Sequence, residues 1–309
     1  MISRRNIRVK VMQSLYILQT MENTSTQVTP KAFLARKLDE SRGLLVALFY
    51  FVTKVCRYAE TDAMFRANKN LPTTADLNVN TKIAGNLWMW QLLENPSFKA
   101  ALENDKPERI DNDDEWVRKI YQELVQTDIY QAYITTPHTK KEDTDIVKFI
   151  FTDLLLPNED FVSHLEEFFP NWEDDAEMVN QLALNYFQKG KPMDFTNIVG
   201  EEKRLYAHQL LEVVQSKGDY LLELIKPKLN NWDADRIASI DLLLLQMGLA
   251  EFLYFETIPT KVTINEYIDL AKEYSTVQSG QFINGLLDNL HKELLKENKI
   301  HKVDFKLKA

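Results

Sequence analysis

The stretch Ile240 to Phe255 is apolar on nearly every side of a helical wheel, with Asp241, Gln246 and Glu251 as its charged or amide interruptions. A helix without a polar face either crosses a membrane or is surrounded by other helices. This one falls short of the roughly 20 apolar residues that a membrane span needs, as does the run Gly43 to Val52. The chain is therefore predicted to be a many-helix protein in which a segment from about Asp233 to Phe255 is central. Only 8 glycines and 10 prolines punctuate 309 residues, a balance that favours helices over turn-rich sheets. The expected fold class is all-α.

Around that segment the pattern predicts further helices. Ile7, Val11, Leu15 and Leu18 recur at helical spacing from Ser3 to Met21, with Ser3 as the N-cap. Pro30 to Lys69 with one break, Thr73 to Leu93, Asp113 to Ile134, Lys140 to Leu156 and Asp174 to Lys189 follow. Asn95-Pro96, Glu103 to Asp114 and Pro170-Asn171 carry loop signals. Asn230-Asn231-Trp232-Asp233 offers the start of the central helix, and Thr257-Ile258-Pro259 its end. Thr263 and Glu266 read as a capping box for a helix to Tyr274, and Ser275, Thr276 or Ser279 as the start of the last one. Gly285 inside that last helix costs about 1 kcal/mol against Ala, which points to a close helix crossing there.

Several kinds of chemistry lack their residues. The single cysteine, Cys56, sits in an apolar run, so no intrachain disulfide or Cys-based metal site is expected, and a reducing, cytoplasmic setting fits. The early arginines are not followed by a secretory signal pattern. Gly190-Lys191-Pro192 lacks the spacing and the Ser/Thr of a phosphate loop. The five histidines show no metal-ligand pairing, and Asp288 with His291 is the one carboxylate-x-x-His pair where a di-iron bundle would need two. Neither a nucleophile elbow nor a Cys/His arrangement is present. No enzyme activity, cofactor or metal is expected.

Charge points instead to binding. The net charge of -9 argues against a surface that coats nucleic acid non-specifically. Its distribution is uneven: Arg4, Arg5, Arg8 and Lys10 precede the first acid, Glu22, whereas acid collects in Glu103 to Glu115 and Glu159 to Glu177. Arg4, Arg5 and Arg8 fall within roughly a quarter of the helix circumference, and their place in the first turns opposes the helix macrodipole, which an anionic ligand would relieve.

The opening Arg4-Arg5-Asn6-Ile7-Arg8, continued by Gln13-Ser14-Leu15-Tyr16 and Gln19, resembles the first helix of the NusB family of bacterial transcription antitermination factors. Near the other end, the run from Pro259 to Lys272 (Pro-Thr-Lys-Val-Thr-Ile-Asn-Glu-Tyr-Ile-Asp-Leu-Ala-Lys) is followed by Ser279-Gly280-Gln281-Phe282-Ile283-Asn284-Gly285-Leu286-Leu287-Asp288. That ordered pair, after a Leu-rich helix, is similar to the family's C-terminal half. The resemblance covers about Ser3 to Met21 and Gly200 to Leu295. It implies a helical core of two packed three-helix-like halves at 1–21 and 200–295, with 22–199 as a helical insertion and 296–309 as a basic tail.

The resemblance also implies a function: antitermination during ribosomal RNA transcription, by binding boxA-type single-stranded RNA together with NusE, a small-subunit ribosomal protein, in a complex with RNA polymerase. Carried over by residue, Arg4, Arg5, Arg8, Tyr16, Lys261, Gln278 and Phe282 become RNA candidates, and Asp241, Glu251 and Tyr274 partner candidates. Single-stranded RNA is held by cations along its phosphates and by aromatic faces under its bases. For Tyr16 and Phe282 the sequence leaves two places open, stacking face or core. Two departures stand out. Ser275-Thr276-Val277-Gln278 replaces the family's Gly-Ala-Glu-Asp, and the insertion, far larger than the family's usual connection, adds a partner surface or covers one. A second reading is a helical scaffold that binds proteins only, through the acidic insertion.

Overall fold

The computed structural model describes residues 2–20, 29–110, 115–189, 193–229 and 237–303. Among them there is no strand. The chain opens with α1 (Arg4–Thr20) and α2 (Pro30–Ala67). Then come α3 (Thr74–Leu77), α4 (Leu87–Glu94), α5 (Pro96–Asp105), α6 (Glu115–Leu124), α7 (Asp128–Thr135), α8 (Lys140–Phe149), α9 (Glu159–Phe168) and α10 (Trp172–Lys189). The last five are α11 (Glu201–Ser216), α12 (Gly218–Ile225), α13 (Ser239–Tyr254), α14 (Thr260–Tyr274) and α15 (Ser279–Lys296). No described helix is long and apolar enough to cross a membrane.

The chain divides into two compact units, one of Asp39–Ile198 and one of Ile2–Leu38 with Val199–Ala309. The division runs through α2, whereas the sequence reading divides the chain at residue 22. In the first unit α2 is buried all round from Leu44 to Phe49. Phe49 sits at the centre of an aromatic cluster, with ring centroids 5.4 to 6.4 Å from Trp88, Phe151, Tyr186, Phe187 and Phe195. α8 passes directly into a π-helical turn, Ile150–Leu155. Its larger number of residues per turn, set by i→i+5 bonding, turns both adjacent pairs, Ile150 with Phe151 and Leu154 with Leu155, into the core.

In the second unit the central helix is α13, buried without interruption over 243–252. It packs against α1, α11, α12, α14 and α15, so the all-round apolar pattern has the surroundings it demanded. Its close crossing lies at Gly248, where a Cβ would meet Leu287 at 3.0 and 3.2 Å and Tyr267 at 3.5 Å. Gly285, expected to mark that crossing, is exposed, and a Cβ there would meet nothing within 4 Å. Gly200 is the N-cap of α11 at φ 82, a left-handed conformation that favours glycine.

Local expectations met with mixed results. Ser3 caps α1, its Oγ accepting from the Asn6 N–H at 3.2 Å. Thr263 and Glu266 do not cap α14. The helix starts a turn earlier, at Thr260 after Pro259, which frees both side chains to face α1 and α13. α2 has no break. Thr73 to Leu93 is two short helices and a 3-10 turn, Lys82–Gly85. Asn95 is an N-cap that starts α5 with Pro96 in its first turn. The start placed at 230–233 lies outside the described residues.

Candidate nucleic-acid interface

The basic end of α1 separates into two roles one turn apart. Arg8 faces inward and is 2% exposed, as is expected of a residue adjoining Ile7 and Val11 on the apolar stripe. Its Nε and one terminal nitrogen donate to the two carboxylate oxygens of Glu251, at 2.7 and 3.1 Å. Its other terminal nitrogen donates to Glu266 at 3.1 Å. Glu251, fully buried in α13, also accepts from the hydroxyls of Thr263 at 2.8 Å, Tyr267 at 3.0 Å and Tyr206. Burial pulls the Arg8 guanidinium toward its neutral form, but the charge and hydrogen bonds of Glu251 prevail and hold it charged. Burial, reinforced by the Glu251 charge, raises both tyrosine hydroxyls well above their ordinary range.

Arg4 and Arg5 face outward. Arg4 pairs with Glu202 of α11 at 2.6 Å and lies over the Tyr206 ring, while Arg5 pairs with Glu273 of α14 at 2.6 Å. Their side chains are 37% and 36% exposed. Exposed pairs of this kind are worth at most about 1 kcal/mol, so a phosphate can take the place of either carboxylate. Arg8 meets Glu266 and Arg5 meets Glu273, so the start of α1 runs antiparallel to the end of α14. Arg5 thereby comes near the corner at 275–278, where Thr276, Val277 and Gln278 are exposed and Tyr274 is half-buried.

The other candidates separate from this group. Arg8 and Glu251 are withdrawn from any ligand-facing role by their burial. Asp241 is 6% exposed; its Oδ2 accepts from Ser279 Oγ at 2.7 Å, and it ties α13 to the start of α15. Phe282 is 8% exposed and belongs to the core. Lys261 is exposed but stands at the opposite end of α14 from Glu273. Tyr16 is 38% exposed. Three turns separate it from Arg5 on nearly the same line of the helix, but Val9 and Met12 on that line are buried. No continuous exposed strip therefore joins Arg5 to Tyr16 along α1.

Sequence reasoning missed the residues that set this geometry. Glu202 and Glu273, which hold the outward arginines, carry no motif. Tyr206, Thr263 and Tyr267 were signalled indirectly, since a Glu within an apolar helix demands donors. Lys302, within the basic tail at 296–309, donates to the Glu251 and Phe255 carbonyls at 2.8 and 2.7 Å. It closes the C-terminal end of α13, and burial lowers its pKa to about 8. Lys306 and Lys308 lie outside the described residues. No group of three or more His, Cys, Asp or Glu among the described residues is arranged to hold a metal ion.

The sequence model of the NusB family matches residues 168–292. The transcription antitermination protein NusB of Listeria innocua is 39% identical over 97 residues, 31% of this chain and 76% of its own length. The chain belongs to the NusB family. The NusB of Desulfatibacillum aliphaticivorans is 39% identical over 97 residues, 68% of its length. That of Methylacidiphilum infernorum is 38% identical over 100 residues, 69% of its length. These NusB relatives match about a third of the chain, and most of Asp39–Ile198 lies outside the family match, which begins at residue 168.

Proposed function

We propose that this chain acts in transcription antitermination, binding boxA-type single-stranded RNA together with a NusE-like ribosomal protein in an RNA polymerase complex. What carries the reading is the pairing of family membership with Arg4 and Arg5, which stand on a helix end held rigid by the buried Arg8–Glu251 pair and whose ion pairs are with exchangeable surface carboxylates. The RNA-facing set is Arg4, Arg5 and Gln278, with Lys261 and Tyr16 as outlying contacts. Arg8 acts through the fold, because each of its three guanidinium nitrogens already donates to a carboxylate and the side chain is sealed from solvent. Tyr274, with exposed Thr276 and Val277 beside it, is the candidate protein-facing surface, supported by its nearness to Arg5.

Fluorescence anisotropy of labelled boxA-like and scrambled RNA, with and without the NusE protein of the same organism, tests this. The expected result is tighter binding to the boxA-like strand, strengthened by NusE. Equal affinity for both strands in both conditions would overturn the RNA reading, and NusE binding indifferent to RNA would favour a protein-only scaffold.

A further inference from the structure

The unit of Asp39–Ile198 carries 28 Asp/Glu against 16 Lys/Arg, a formal charge of -12, while the rest of the chain carries 21 Lys/Arg against 18 Asp/Glu. So acidic a surface repels RNA and attracts cationic protein. Within it, α7 and α8 form a hairpin whose outer side holds a groove of about 240 Å³.

The floor of the groove is preorganised. The Tyr133 hydroxyl donates to Asp143 Oδ1 at 2.6 Å, and the Lys82 ammonium sits 3.9 Å from the centre of its ring. Asp143, fully buried, also accepts from the Leu87 N–H at 3.0 Å and faces His138 Nδ1 at 3.1 Å. The ring is thereby locked in one position beside buried Ile146. On one lip Ile129 is 48% exposed. On the other stand Glu142 and Asp145, three residues apart and so on one side of α8. Neither has an ion-pair partner among the described residues; the Glu142 carboxylate accepts from the Thr139 hydroxyl at 3.0 Å, and the Glu142 N–H donates to that same hydroxyl oxygen at 3.2 Å.

An apolar slot with a rigid aromatic floor and two unneutralised carboxylates on its rim has a defined complement. We infer that this groove docks a basic protein segment, seating one aliphatic or aromatic side chain on Tyr133 and Ile129 with lysines or arginines beside Glu142 and Asp145. Apolar burial supplies the anchor and the charges supply orientation and encounter rate. The inference is independent of the RNA reading, since it concerns residues outside the family match.

The test uses the full chain and a fluorescein-labelled peptide of two lysines, one leucine and two lysines, followed by anisotropy at low salt. Controls replace the leucine by serine, or the lysines by glutamates. The expected outcome is saturable, salt-sensitive binding of the Lys-Leu peptide, weakened about fivefold or more by Ile129→Asp and by Asp145→Lys. Both positions are exposed, and unchanged circular-dichroism melts show that the variants fold. Equal binding of the serine peptide means general charge attraction and overturns the groove. Binding unchanged in both variants, or no binding at all, also overturns it. So does displacement of the peptide by single-stranded RNA, or a concentration-dependent dimer that Ile129→Asp abolishes, each of which assigns the groove to another occupant.

Discussion

Arg8 Nε lies 2.7 Å from Glu251 Oε1, and the two side chains, 243 residues apart in the chain, are both sealed from solvent. Arg4 and Arg5, one turn earlier, make ion pairs of similar length at the surface. Equal distances carry unequal energies here, because truncating one member of a buried pair strands the other charge without water, whereas an exposed carboxylate is simply rehydrated.

Arg8→Ala is therefore expected to lower stability by about 3–5 kcal/mol, and Arg5→Ala by less than about 1 kcal/mol. Urea unfolding followed by circular dichroism measures both. Comparable losses would show that Arg8 is no more integral to the fold than its neighbours.

The same separation predicts RNA behaviour. Replacing Arg4 and Arg5 together by Ala should reduce the slope of log affinity against log salt by roughly 1.4, about 0.7 for each phosphate contact on a single strand. Anisotropy titrations across a salt series read this directly, and a slope equal to that of the parent chain would remove both arginines from the interface.

Opposite signs are expected for two glycines. Gly248→Ala drives a methyl into Leu287, with Tyr267 in contact behind it, and should destabilise by about 1–3 kcal/mol. Gly285→Ala, with open space around it, should stabilise α15 by about 0.5–1 kcal/mol. Thermal or urea melts of the two variants check the signs, and stabilisation at both sites would contradict the crossing at Gly248.

Lys302 makes a pH-dependent contribution. Burial depresses its pKa from 10.5 to about 8. Between those values the unfolded chain binds a proton that the folded chain does not, so this contribution to stability rises with pH through that window. Below it, Lys302 is charged in both states and its contribution is constant. The unfolding free energy of the parent chain minus that of Lys302→Met should climb from about pH 8 to about pH 10.5. A flat difference would mean that the ammonium is not desolvated at the end of α13.

In the first unit, Tyr133→Phe deprives the buried Asp143 carboxylate of a hydroxyl donor at 2.6 Å. A loss of about 1.5–3 kcal/mol is expected, measurable by urea unfolding. If the groove docks a basic segment, the same variant also frees the aromatic floor and weakens the peptide, so binding and stability should fall together.

Much of the helical pattern was legible because it is local. Ser3 as a cap, the central helix and the helical class all follow from periodicity and composition over neighbouring residues. Gly285 was misjudged because a glycine's helix penalty is readable in sequence but the residue approaching it is not. Thr263 and Glu266 fit a capping box by spacing alone, and the helix began at Thr260 because Pro259 starts it a turn earlier. The site divided in the same manner: the cationic cluster of α1 was plain, while its partition into a buried strut and an exposed pair was not.

By itself the sequence determined that this is an all-helical chain, that α13 must be surrounded, that a basic end and an acidic middle are distinct, and that the C-terminal part carries the motifs of the NusB family. Those properties sum over residues or repeat along a helix. Tertiary structure alone decided that Arg8 rather than Arg5 meets Glu251, that Phe282 and Asp241 turn inward, and that Tyr133 becomes the floor of a groove. Each of these depends on which side chain arrives from a distant part of the chain. In a desolvated interior, an angstrom or two there separates a charge that holds the fold from one that is left for a ligand.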